Sequence, residues 1–404
     1  MTSMEPEASE TPSKHEEDGM RVPSLEFLAS HGGPFFEFQR RLKLLSDGSL
    51  NVGKRALLFV GLAWGVPLIL SGLSRGYGSF LSDPGAWAKF LVAVGAFVLA
   101  EQQVERGLRI KLQQFVRAPL IDPDSWPAAA TALSRAVRQR DSRVVEIGCL
   151  AVCLLVSIVT FASLDPSQVS QWAVKGVGEQ PGLTLAGWWS LLVSTPLVVF
   201  LLLRGLWRHL VWARLLRTIA GLKLRLVSTH PDGKGGLSFL ADYPNAYMLF
   251  VFGVSSVMAA VLTKHLFLET LTVAAFSSIL AGWLIVVIGL FAYPLAAFSK
   301  PLATLKEQTL LALGAQATSF QRAAERKAIG SNIMATNGNE ETESVGTVDV
   351  SKQFEITRKL SSVLVSRSAA LPVAAAALLP FAVVGVTKLP YKEVFSVLKK
   401  LLLL

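Results

Sequence analysis

Long apolar blocks alternate with short charged ones along the chain. A helix crossing the roughly 30 Å hydrocarbon core of a bilayer needs about 20 apolar residues. Six blocks meet that length, at about 56–73, 86–104, 144–162, 185–203, 246–266 and 271–293. Short connections pair the first with the second, the third with the fourth and the fifth with the sixth, which predicts three helical hairpins. Asp83-Pro84 supplies an N-cap and a first-turn proline before the second block, and Asp165-Pro166 follows the third.

The charged segments orient these spans. Arg106, Arg109, Lys111, Arg117, Arg135, Arg138, Arg140 and Arg143 lie between spans two and three, and a second basic set runs from Arg204 to Lys234. The three short connections carry only Arg75, Lys175 and Lys264. Basic loops stay in the cytoplasm, so the long loops and the N-terminal segment with Arg40, Arg41, Lys43, Lys54 and Arg55 are expected there. The net charge of +10 is then a matter of topology, and no nucleic-acid partner is expected. Charged residues make up 17% of the chain against about 25% in soluble domains, a shortfall that sits in the apolar blocks. The first twenty residues are polar and expected to be disordered, with no cleavable signal peptide.

Several inner ends read as helix beyond the membrane. The stripe Val104, Leu108, Leu112, Phe115 extends span two toward Pro119. Pro127 is expected to open a helix running unbroken into span three, and span four to continue toward Ser228. After Pro294 and Pro301 an amphipathic helix carries Leu302, Leu305, Leu313, Ala317 and Phe320. Residues 330–350 read as a polar linker. Residues 369–386 are apolar and long enough to span, but Pro372 and Pro380 fall inside them. A seventh crossing would put Lys388, Lys392, Lys399 and Lys400 outside, against the charge asymmetry. A re-entrant or interfacial segment would keep them inside, and residues 391–404 have the pattern of an interfacial amphipathic helix. The expected fold is an all-α polytopic transmembrane helix bundle with cytoplasmic helical extensions. Its expected divisions are 1–54 (N-terminal segment), 55–328 (six-helix membrane domain), 329–368 (linker and short helix) and 369–404 (proline-broken apolar segment and tail).

Candidate chemistry is sparse. The loop Thr229-His230-Pro231-Asp232-Gly233-Lys234-Gly235-Gly236-Leu237 combines turn residues with glycines that let backbone amides approach a ligand. One reading is an anion nest using Lys234, Gly235 and Gly236. Another gives His230 and Asp232 an acid–base or proton-relay role, and the plainest is a tight connection between helices. Glu101 and Glu105 share a face at the inner end of span two, and Glu146 opens span three. They form either an intramembrane polar cluster on an ion path or salt bridges to Arg106, Arg109 or Arg143. Cys149 and Cys153 share a helix face and read as packing residues. Gly48-x-x-x-x-Gly53-Lys54 resembles a phosphate loop, yet Arg55 replaces the required Ser or Thr and no strand precedes it. Gly61-x-x-x-Gly65 fits close helix packing, and Pro67 and Pro196 are expected to kink spans one and four. Trp188, Trp189, Trp207 and Trp212 fit interface anchoring or packing around span four. No metal or cofactor site is indicated.

The pattern T-H-P-D-x-x-G-G-L-x-F-L from Thr229 to Leu240 resembles that of a family of uncharacterised bacterial multi-pass membrane proteins. The resemblance extends over the six spans. It implies an inner-membrane location and this architecture, and carries over no catalytic residue. Three functions follow as expectations. The first is a non-enzymatic inner-membrane protein binding a cytoplasmic partner or small anion at the His230 loop. The second is a transporter or channel built from the hairpins, and the third a membrane enzyme using His230 and Asp232.

Overall fold

The structure, a computed structural model, describes residues 27–45, 50–74, 76–164, 169–174, 182–268, 272–334, 350–387 and 389–403. The N-terminal tail to residue 26, Gly48, Arg75, Asp165-Pro166, Lys175, residues 335–349 of the linker and Lys388 lie outside the described residues, as does the Lys264 side chain. Regular structure among the described residues is helical, with isolated antiparallel bridges joining Ile121 to Leu224 and Val174 to Leu183. In chain order the principal helices are α1 Pro34–Arg41, α2 Val52–Leu73, α3 Pro84–Arg117, α4 Trp126–Arg140, α5 Arg143–Ala162 and α6 Leu185–Ala220. Then follow α7 Met248–Leu268, α8 Val273–Leu295, α9 Ser299–Ile329, α10 Val350–Arg358, α11 Arg367–Val386 and α12 Tyr391–Leu403.

Seven stretches, those carrying α2, α3, α5, α6, α7, α8 and α11, are long and apolar enough to cross a membrane. Their outward faces agree. On α5, Val144, Ile147, Leu150, Leu154, Leu155 and Ile158 are all exposed. A stripe that size would be an aggregation surface in water, and in a bilayer it is the ordinary lipid face. The architecture is that of a multi-pass membrane protein.

Three wide, π-helical turns widen the membrane helices, at Gly61–Gly65 in α2, Trp87–Ala93 in α3 and Ser190–Ser194 in α6. Two of them lie just before Pro67 and Pro196. A proline ring cannot sit against the carbonyl four residues back, and widening the preceding turn relieves that clash. The backbone groups this disturbs need partners inside lipid. Trp189 Nε1 donates to the Leu62 carbonyl at 2.8 Å, and Ser157 Oγ donates to the Leu191 carbonyl at 2.8 Å. Neighbouring helices thus satisfy the widened turns. Gly61 and Gly65 are not a packing ridge, because a Cβ added at either would meet nothing within 4 Å. Trp212 is fully buried and Trp207 donates to the Gln139 carbonyl, so these two pack rather than anchor.

The inner layer departs from expectation in two places. The helix opened by Pro127 does not run unbroken into span three; it stops at Arg140, and α5 restarts at Arg143. Arg140 turns its guanidinium onto Asp141 and the Leu28 carbonyl, tying the break to the N-terminal segment. Span four ends at Ala220 rather than near Ser228. Beyond it the chain extends and pairs with the stretch after α3: Asp122 N–H donates to the Lys223 carbonyl and Arg225 N–H to the Leu120 carbonyl. Cys149 and Cys153 are free thiols on α5.

A side-chain bond from Trp283 Nε1 to Ser255 Oγ, 2.9 Å, joins α7 and α8, while α11 packs along both of them. Pro372 and Pro380 sit within one continuous α11. A Cβ on Gly385, near its C-terminal end, would strike the Phe276 ring at the beginning of α8. Its N-terminal end follows residues 360–364, which are bonded to the His230 loop. The amphipathic α12 folds back, adding Val394 and Val397 to the cluster of Phe276, Leu280, Leu378 and Phe381.

Candidate functional site

Five charged side chains converge where α2, α3, α5 and α6 meet. Glu101 lies about 15 residues past Ala86, roughly 22 Å along the helix. Its Oε1 accepts from Arg204 Nη1 at 2.6 Å, with Arg208 Nη1 at 3.6 Å. Its Oε2 pairs with Arg55 Nη2 at 2.6 Å. Arg204 Nε also reaches Glu146 Oε1 at 3.4 Å. All these charges are largely withdrawn from solvent; Arg55, Arg204 and Arg208 are 1%, 4% and 6% exposed. Burying a charge is costly unless it is paired, and that cost fixes the packing of the four helices.

The N-terminal segment closes this cluster from below. Ser30 Oγ donates to the Glu101 carbonyl at 2.7 Å, and Arg208 Nη2 donates to the Ser30 carbonyl at 3.0 Å. Glu105 Oε2 accepts from Ser30 N–H at 3.0 Å and lies 2.7 Å from His31 Nδ1. Glu146 Oε2 accepts the Phe35 N–H at 2.7 Å, capping α1 from a neighbouring helix, and Gln39 Oε1 receives Arg55 Nε at 2.5 Å. The turn into α1 requires glycine. Gly33 has φ +86°, and a Cβ there would stand 2.5 Å from Glu146 Oε1. The Arg204 guanidinium also lies over the Phe35 ring, 5.0 Å from its centroid.

Above this plug is a small cavity of about 30 Å³, lined by Ser30, Glu101, Arg204, Arg208, Tyr247 and Phe250 among others. Gly205 backs onto it because any Cβ would collide with the Phe250 ring. Arg204 Nη2 and Tyr247 OH are buried there without a hydrogen-bond partner.

The structure brings Glu101, Glu105 and Glu146 to one cluster. Arg55, Arg204, Arg208 and His31 engage them, residues the sequence reading did not name as their partners. Helix geometry is the reason: Arg204 and Arg208 are one turn apart on an otherwise apolar face, as are Glu101 and Glu105. Sequence reading missed Ser30, His31 and Gly33, whose one visible signal is the His-Gly-Gly-Pro turn ahead of a short helix.

The His230 loop lies elsewhere. Its Gly236 packs on Leu120, beyond the end of α3, while Glu101 lies about 16 residues, roughly 24 Å, back from that end. His230 and Asp232 consequently do not join Glu101 or Glu146. The loop's amides point inward at its own carboxylate: Asp232 Oδ1 accepts from Lys234 N–H at 2.8 Å and Gly236 N–H at 3.1 Å, and Oδ2 from Ser238 N–H at 3.0 Å. His230 Nδ1 lies 2.9 Å from Asp232 Oδ1. Burial of the Asp232 carboxyl opposes its ionisation, but these donors prevail and hold it at about 2. Gly236, at φ +94°, gives the backbone the left-handed turn this wrapping needs. Lys234 Nζ donates to the Leu364 carbonyl at 2.6 Å, Ser361 N–H donates to the Gly233 carbonyl, and Val227 N–H to that of Gly235. Burial pushes the Lys234 ammonium down, with Asp242 and Asp232 opposing. The loop is a clamp on the segment leading to α11. No group of three or more metal-ligating side chains occurs among the described residues.

No family model, curated protein or solved structure matches this chain.

Proposed function

We propose that this protein is a small-ion transporter or channel of a bacterial inner membrane, closed at its cytoplasmic mouth by its own N-terminal segment. The observation that carries this reading is the buried Glu101 cluster. Ionisable residues inside a membrane bundle are expensive and mark ion pathways. Here they come from four membrane helices, border a cavity, and are covered by a segment held through its backbone. Partner binding at the His230 loop has weaker support, since the loop's donors are already occupied within the chain. The enzyme reading has His230 beside Asp232 and no further catalytic group.

The membrane assignment has two parts. The basic loops and the resemblance of residues 229–240 to bacterial multi-pass proteins support a cytoplasmic N-terminus. The two ends of α11 support seven crossings: it starts near the clamp on the basic side and ends against the beginning of α8. Residues 391–403 then lie on the outer side as an interfacial helix, a placement that the packing of α11 supports and the lysine count there opposes.

The test is ion flux in proteoliposomes containing the full chain, across gradients of protons, alkali cations and halides. An ion-selective signal that rises when the plug is loosened by Gly33→Ala is expected. No flux in either protein, across the whole panel, would remove the transport reading.

A further inference from the structure

From the cavity above the plug we infer that the Arg204–Tyr247 pocket binds a small monovalent anion of chloride size, a ligand class for the site on which the transport reading rests. Three guanidiniums, Arg55, Arg204 and Arg208, touch two carboxylates, Glu101 and Glu146. Within that contact set the positive charges exceed the negative ones by one. Glu105, one turn further in, accepts the Ser30 amide and lies against His31, outside the set.

The spare charge faces donors that have nothing to donate to. Arg204 Nη2 and Tyr247 OH are both buried, both line the cavity and both lack a partner. The two residues are 4% and 2% exposed. Leaving such groups unsatisfied in a medium of low polarity is unfavourable. A water molecule could accept these hydrogen bonds, but it would leave the charge unbalanced; an anion does both. Size limits the choice. About 30 Å³ holds one or two water-sized species, which admits a halide and excludes a carboxylate metabolite or phosphate ester. Glu101 does not repel the guest strongly, because both its oxygens already face guanidiniums.

The experiment is thermal unfolding of the full chain in detergent, titrated with sodium chloride against sodium gluconate at constant ionic strength. A ligand that binds only the folded state raises the midpoint in a saturable way. Chloride is expected to do so and gluconate is not. Tyr247→Phe removes one hydroxyl without changing the packing volume, and should move half-saturation about ten-fold higher. Isothermal titration with bromide gives the same comparison without heating. Identical midpoints in chloride and gluconate, or an unchanged half-saturation in Tyr247→Phe, would overturn the site. Because binding is read without a gradient, halide binding with no flux in vesicles retires the transport reading alone. Flux without any halide-dependent stabilisation retires the anion site alone.

Discussion

Arg204 and Glu101, separated by 103 positions in sequence, meet at 2.6 Å inside the bundle and hold α6 against α3. Neither charge has solvent to fall back on. Glu101→Gln is expected to leave three guanidiniums around a neutral group and destabilise the protein by about 3–5 kcal/mol. Unfolding in mixed detergent micelles measures this. Adding Arg55→Gln to Glu101→Gln should restore part of the loss, and strictly additive losses would show that the two side chains do not couple.

Gly33→Ala places a methyl group against the Glu146 carboxylate in a backbone conformation that costs about 1–3 kcal/mol for a side-chain-bearing residue. The bundle should still assemble, since α1 contributes little to its core, while the plug detaches more often. Faster proteolysis within residues 27–41 is the expected readout. Cleavage at the wild-type rate would mean the segment is held by other contacts.

Asp232 sets a pH window for the clamp. Its folded value of about 2 lies below the ordinary carboxylate value of about 3.9. The stabilisation is therefore complete above about pH 4 and disappears as pH falls toward 2. Hydrogen-exchange protection of the Lys234, Gly236 and Ser238 amides should weaken across that interval and stay flat from pH 5 to 8. Asp232→Ala should abolish the protection at every pH, and retained protection would show that the glycine backbone alone holds the turn.

A reporter fused after residue 403 tests the direction of α11. An enzyme that is active only outside the cytoplasm should be active there. A reporter fused after residue 230 should be inactive. Activity of the opposite sign at the first fusion would make α11 re-entrant.

The apolar blocks made the first six spans legible, because about 20 apolar residues in a row have few other uses. The same reasoning obscured the site. Arg204 and Arg208 count toward a basic loop when charges are tallied for orientation, although both lie inside the bundle. Their four-residue spacing, matched by Glu101 and Glu105, was the available signal. The partners could not be read, since Ser30 and Arg208 lie 178 positions apart and nothing local links them. Gly61-x-x-x-Gly65 misled for a different reason: small residues serve a widened turn before proline as well as they serve helix packing. The proline rule also failed in α11, where Pro372 and Pro380 sit inside one continuous helix.

The position of α11 bears on how the protein is made. Spans five and six leave the ribosome well before α11, whose apolar side then has to enter between two helices already in the bilayer. Until it arrives, the Phe276 and Leu280 face of α8 lacks the Leu378 and Phe381 side chains that join its cluster in the folded protein. In the folded protein the clamp around Asp232 fastens the segment that leads into α11. Chains with a broken clamp should accumulate as a membrane-inserted but incomplete bundle that quality-control proteases can recognise.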